Sequence, residues 1–280
     1  MNAELKKKID RAIKLLKAAE KKAANIGQPV EICYSGGKDS EVILELAKMA
    51  GINYRAIYKN TTIDPPGTIS HVLSKGVEMV RPKTTFVELM KKKGWPSRQV
   101  RFCCSELKEY KILDYAVVGI RREESRKRAE RYQEPEICRV YNAKEKTRQY
   151  LPILDWTIQD VVDFIKERDI QCAPHYYDAD GEFHPERRLG CMGCPMMSRK
   201  QRIREFERHP NMVKLYLRGG ATLQGEPFHA KEPEVFSQHL RVVCMLSLLR
   251  EHQRVQDPLR SQPVQRRRRL QRVSGELFSH

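Results

Sequence analysis

A chain of 280 residues, 40% of them hydrophobic, can bury a full core and fits one large domain with additions. Charged residues reach 32%, yet this apolar content excludes a disordered chain. Lys and Arg number 53 against 36 Asp and Glu, and the resulting net charge of +17 points to an anionic partner (nucleotide, nucleic acid or sulfate ester) or to a basic, solvated surface. No apolar stretch is long enough to span a bilayer, so no membrane partner is expected. The N-terminus lacks the apolar centre and small-residue cleavage site of a secretory signal. The expectation is a soluble, cytoplasmic protein whose eight cysteines serve as thiols or metal ligands rather than disulfides.

Leu5, Ile9, Ile13 and Leu16 recur at helical spacing and predict an amphipathic N-terminal helix within residues 1–26. Gly27-Gln28-Pro29 breaks it. Residues 30–34 are short and apolar and read as a strand, and a Gly-Gly turn follows. Residues 39–49 return to helical spacing through Val42, Ile43, Leu46 and Ala47. A strand is expected over 54–58, then a loop with Thr61, Thr62, Pro65 and Pro66. Further helices fit 68–75 and 85–93, with a strand at 77–80 between them. Residues 115–120 read as the last clear strand. This alternation predicts an α/β fold: an open, doubly wound, mostly parallel sheet. After Glu123 the pattern loosens. A helix is expected over 156–168, and 172–188 reads as loop. The predicted organisation is a helix (1–26), a main α/β domain (27–210) and a C-terminal extension (211–280) ending in a basic tail with the run Arg266 to Arg269.

Between the first strand and the helix after it lies Ser35-Gly36-Gly37-Lys38-Asp39-Ser40. Two glycines let the backbone approach phosphate oxygens closely. The following helix turns its positive end toward the same anion. Lys38 neutralises phosphate charge, Ser35 and Ser40 supply hydroxyl donors, and Asp39 suits either a magnesium ion or a helix cap. The bland alternative is a capped Gly-rich turn. The Gly-x-x-x-x-Gly-Lys spacing of kinase-like NTPases is absent.

Four cysteines form two pairs: adjacent Cys103 and Cys104, and Cys191-x-x-Cys194. Four thiolates satisfy one tetrahedral zinc or a four-iron cluster. Neighbouring side chains diverge, so adjacent cysteines suit a cubane, which offers each sulfur a different iron, better than one zinc. Zinc and free thiols stay open as alternatives. Cys33 reads as core, Cys138 as a weaker ligand or sulfur carrier, and Cys172 and Cys244 as bland. Ligands of open parallel sheets bind beyond the carboxyl ends of strands. That placement favours Arg121, just after the last clear strand, as a catalytic candidate. Lys108, close after the cysteine pair, is kept as a nucleotide-binding one. Arg126 to Arg131 read largely as a charged helix face. The histidines and tyrosines of 175–184 receive no role.

The hexapeptide resembles the signature of the ATP-pyrophosphatase superfamily. Within it the chain is similar to the phosphoadenosine phosphosulfate reductase family, over roughly residues 29–204. Gly119-Ile120-Arg121 with Glu124, Ser125 and Arg128 resembles that family's Gly-Ile-Arg…Glu-Ser loop. Pro152, Trp156, Thr157 and Asp160 resemble its Trp-Thr-x-x-Asp helix start, and Cys172 to Asp178 its Asn-Pro-x-Tyr-Asp segment. The cysteine pattern resembles the family's iron–sulfur branch, implying a 4Fe-4S cluster on Cys103, Cys104, Cys191 and Cys194.

The resemblance implies an ATP- and magnesium-using enzyme, with Lys38, Asp39 and Arg121 catalytic and residues 35–40 on the nucleotide. It would adenylate a substrate for sulfur transfer, as DNA- and tRNA-thiolating relatives do, so a nucleic-acid substrate and a sulfur-donor protein are conceivable partners. One alternative is a sulfonucleotide reductase. Reductases of this family carry a C-terminal cysteine nucleophile and an altered loop. Here no cysteine follows Cys244 and the loop keeps its Gly-Gly-Lys-Asp form, which favours ATP cleavage. The other alternative is a non-catalytic nucleotide- or nucleic-acid-binding protein with a structural metal.

Overall fold

The computed structural model describes residues 3–221. Residues up to Met196 form one compact unit, and the described residues from Met197 onward belong to a second. In the first unit, six strands make one sheet: β1 Val30–Tyr34, β2 Tyr54–Lys59, β3 Glu78–Val80, β4 Tyr115–Val117, β5 Glu136–Val140 and β6 Lys146–Tyr150. Their order is β3-β2-β1-β4-β6-β5. Every pairing is parallel except that of β5 with β6.

The helix α1 (Ala3–Ala24) buries Leu5, Ile9, Ala12, Leu16, Ala19 and Ala23, the three-and-four spacing of an amphipathic helix. It joins α2 (Lys38–Ala50) and α7 (Ile158–Glu167) in one core that takes in Val30, Ile32, Val42, Leu46, Trp156 and Phe164. Strand side chains alternate, so Glu31 and Cys33 of β1 point to the opposite face. That face is covered by the chain leading into β4: the Leu113 N–H donates to Glu31 at 3.2 Å, and Lys59 donates to the Tyr110 carbonyl at 2.7 Å. The helices α3 (Thr68–Ser74), α4 (Phe86–Lys93), α5 (Phe102–Leu107) and α6 (Arg126–Arg131) complete this unit. The second unit holds α8 (Arg199–Arg208) and α9 (Pro210–Ala221).

The expectation that residues 115–120 are the last strand is corrected. A hairpin, β5–β6, follows, and β6 inserts beside β4. Its residues Lys146-Thr147-Arg148-Gln149-Tyr150 are mostly polar, which hid the strand; only Thr147 and Tyr150 are buried. The expected strand 115–120 itself shortens to Tyr115–Val117. The expected loop at 172–188 contains a single short 3-10 turn, Pro174–Tyr176. No helix among the described residues is long and apolar enough to cross a membrane. The basic tail and Cys244 lie outside the described residues.

Candidate functional site

The chain runs from β1 outward to β2 and β3 on one side and returns to β4 on the other, so β1 and β4 flank the reversal of strand order. Crevices of open α/β sheets form there, past the carboxyl ends of the strands. Two loops meet at this point. After β1 comes the glycine-rich loop, and after β4 comes Gly119-Ile120-Arg121. A Cβ on Gly119 would stand 3.1 Å from the Asp39 carbonyl oxygen and 3.2 Å from its carbon. Only glycine lets the loop lie this close to the first turn of α2.

The glycine-rich loop is tightly built. Gly36 has φ +77°, and a Cβ there would also stand 3.1 Å from Leu189 Cδ2. Gly37 starts α2 with no side-chain cap, so Asp39 does not serve as one. The Ser40 hydroxyl donates to the Gly37 carbonyl at 2.6 Å, and the Ser35 hydroxyl lies 3.3 Å from Ser40 Oγ. Lys38 is buried, with its ammonium 3.3 Å from Asp39. Arg121 is buried as well. Its Nε donates to Asp39 at 2.7 Å and its Nη1 to Glu123 at 2.6 Å. Asp39 is thus held between two cations, and Arg121 positions it. Arg128 lies close by, ion-paired with Glu124, which also meets Arg188 at 3.4 Å. Burial, then the neighbouring Arg188, lowers the pKa of Arg128.

Residues that sequence reasoning left without a role complete the loop's surroundings. The Tyr176 hydroxyl accepts from the Lys38 backbone N–H at 3.2 Å, and the Lys38 ammonium lies 5.8 Å from the ring centre of Tyr176. Beneath the loop Glu41, only 2% exposed, accepts from Tyr34 and lies 2.5 Å from His71 Nε2 and 3.6 Å from Lys75. Burial, then the Glu41 charge, raises the Tyr34 phenol. Thr68, at the start of α3, has a buried hydroxyl without a partner, and its methyl lies 3.5 Å from the position of a Cβ on Gly36. The one available signal was a Glu, unusual in the apolar stretch after a phosphate loop.

The structure also gathers the four paired cysteines. Cys103 and Cys104 sit on α5, and a turn with Gly193 at φ +67° carries Cys191 and Cys194. The hydrogen bond with Cys104, burial, and the charges of Cys104, Cys191 and Cys194 together push the Cys103 thiol up, while Cys104 is lowered by the bond from Cys103. Cys191 donates to the Thr61 hydroxyl at 3.5 Å. Lys108, at the end of α5, faces Cys191 and Asp64; burial works against its charge, but these two groups raise its pKa. Lys108 therefore lies with the cysteine group. All seven cysteines among the described residues are free thiols. No three of the four paired sulfurs lie within 4.8 Å of one another; among the described residues only Asp178, Glu182 and His184 form such a metal-ligand group.

The phosphoadenosine phosphosulfate reductase domain model matches residues 29–197, well over half of the chain. The chain belongs to this family. It is 28% identical over 221 residues to an uncharacterized protein of Methanocaldococcus jannaschii, covering 74% of this chain and 51% of that one. It is also 28% identical over 200 residues to sulfate adenylyltransferase subunit 2 of Salmonella arizonae, covering 56% of this chain and 63% of the relative. The chain spans about half the length of the curated relatives it matches. Among solved structures, FMN adenylyltransferase of Candida glabrata aligns at 14% identity and a TM-score of 0.45, over 68% of this chain and 62% of that one.

Proposed function

We propose that this protein cleaves ATP between its alpha and beta phosphates and adenylates an acceptor that then receives sulfur. The observation that carries the reading is the loop at residues 35–40. Gly36 is left-handed, Gly37 opens an uncapped helix, and Lys38 is buried beside them. Helix N-termini of this kind bind phosphate without further aid. An acceptor oxygen attacks the alpha phosphorus and the bond to the bridging oxygen breaks. Pyrophosphate leaves with its charge met by Lys38 and the loop N–H groups. Asp39, fixed by Arg121, is suited to hold the magnesium ion of Mg-ATP. Similarity to a sulfate adenylyltransferase subunit supports adenylyl transfer.

Cys103, Cys104, Cys191 and Cys194 would hold an iron–sulfur cluster. A tetrahedral zinc with Zn–S near 2.3 Å draws its sulfurs to about 3.8 Å apart. Adjacent cysteines on α5, whose side chains diverge, joined by a separate Cys-x-x-Cys turn, suit a four-iron group, which offers each sulfur a different iron. Bound there, the cluster would supply a place for sulfur or an electron path.

A second reading is sulfonucleotide reduction, favoured by the match to the reductase domain. One experiment separates the two. Anaerobically purified protein is given ATP, and separately adenylyl sulfate. Pyrophosphate release from ATP that is lost in Lys38→Ala, without sulfite formation, supports adenylation. Sulfite from adenylyl sulfate, with ATP intact, overturns it in favour of reduction.

A further inference from the structure

The net charge is not evenly spread along the chain. From Met197 onward, 84 residues carry 17 Lys and Arg against 8 Asp and Glu, so this segment holds +9 of the chain's +17. The described part of it is a two-helix hairpin, α8 and α9. The Ser198 side chain caps α8 through a capping box with Gln201, so the helix start is fixed. Lys200, Arg204 and Arg208 follow at four-residue intervals and are all exposed. Four residues at 1.5 Å rise place a cation about every 6 Å, along a strip on one side of the helix.

Arg204 and Arg208 differ from most exposed arginines of the first unit. There, exposed arginines are mostly ion-paired: Arg11 with Glu4, Arg55 with Glu78, Arg126 with Glu130 and Arg168 with Glu45. Among the described residues, Lys200, Arg204 and Arg208 have no ion-pair partner, and neither does Arg199 beside them. Helix α8 carries five cations against Glu205 and Glu207. Unpaired like charges at regular spacing repel one another, a cost that a matching line of anions reverses.

We infer that the exposed strip of Lys200, Arg204 and Arg208 docks a nucleic-acid strand along its phosphate backbone. A strand presents single charges at regular intervals, and arginine meets phosphate with two parallel donors. An anionic membrane fits the strip less well. The buried residue of α8, Phe206, already meets Tyr216 of α9 edge-on with ring centres 5.3 Å apart, so its apolar side is used inside the hairpin. The inference is independent of the ATP reading, because it concerns backbone binding without turnover.

The test uses the full chain and a fluorescein-labelled, mixed-sequence single-stranded RNA of about 20 nucleotides, with fluorescence anisotropy over a range of NaCl concentrations. Wild type should bind with steep salt dependence. Replacing Lys200, Arg204 and Arg208 together by Ala should weaken binding at least about tenfold and reduce the log–log salt slope by roughly 2, near 0.7 per lost contact. A matched triple replacement on α1, Lys7, Lys14 and Lys17 to Ala, should leave binding unchanged; these residues are exposed too. Unchanged far-ultraviolet circular dichroism in both variants guards against misfolding. Equal losses in the two triple variants would overturn the assignment, because binding would then follow diffuse charge. Binding to phosphatidylserine vesicles but not to RNA would overturn it as well.

Discussion

The carboxylate of Glu41 offers the sharpest test of how the site is built. It lies in the first turn of α2 and gathers Tyr34 from the end of β1, His71 from α3, and the ammonium of Lys75. Glu41→Ala would leave the Tyr34 hydroxyl and the His71 ring buried, at 3% and 8% exposure, without their acceptor. Each orphaned group costs about 1–3 kcal/mol. Removing one partner of a buried charged cluster costs about 3–5 kcal/mol, so the two estimates agree. Glu41→Gln keeps one acceptor oxygen and should cost about half as much. The assay is urea unfolding followed by tryptophan fluorescence. Both tryptophans, Trp95 and Trp156, belong to the first unit, so the signal reports on that unit alone. A loss under about 1 kcal/mol for Glu41→Ala would refute the claim that this network supports the loop.

Gly119→Ala should press a methyl against the Asp39 backbone, which a helix turn cannot yield, costing about 1–3 kcal/mol and weakening ATP binding in calorimetric titration. Asp160 closes the capping box of α7 and takes a 2.6 Å bond from Lys8. Burial pushes its pKa up, but Lys8 and the Thr157 donors outweigh this and hold it low. A depressed folded pKa stabilises above the unfolded value, about 3.9, and that stability is lost as pH falls through the folded pKa. Asp160→Asn should therefore flatten the acid limb of a stability–pH curve, whereas Thr157→Ala should cost about 1 kcal/mol at neutral pH. Cys191→Ser and Cys104→Ser should each lower bound iron measured by plasma mass spectrometry; full zinc occupancy and no iron in the wild type would sink the cluster.

Much of this was legible in the sequence, and for identifiable reasons. The glycine-rich turn was legible because Gly36 sits at φ +77° with a Cβ position 3.1 Å from Leu189, where backbone and packing leave little choice of residue. The parallel core strands and α1 were readable because each buries a regular apolar stripe. The β5–β6 hairpin was not. Lys146 and Arg148 are exposed and Gln149 is only half-buried, and an edge hairpin needs little apolar content to pair. The roles of Tyr176, Glu41 and Thr68 were hidden because each depends on a segment far along the chain arriving beside the loop. Tyr176 meets Lys38 across 138 residues. Spacing cannot reveal such a meeting, and the loop-like composition of 172–188 disguised a wall of the site.

The loop after β2 touches both the glycine-rich loop and the turn that carries Cys191 and Cys194. At one end, Thr61 accepts from Cys191 and the Ile63 carbonyl accepts from the Met192 N–H at 2.8 Å, so this loop holds the Cys-x-x-Cys turn. Asp64 is one of the groups that raise Lys108. At the other end, Thr68 packs beside Gly36 of the phosphate loop. Between them Thr62 has φ +64°, a conformation that a β-branched residue adopts at a cost of about 1–2 kcal/mol. Such strain persists only where surrounding contacts over-determine the backbone. Here they do: the Thr62 N–H donates to Asn60 at 2.7 Å, and its hydroxyl accepts from the Phe86 N–H at 2.9 Å. The geometry of this segment is thus fixed by its contacts at both ends and by its own hydrogen bonds, which is how a left-handed Thr62 persists there.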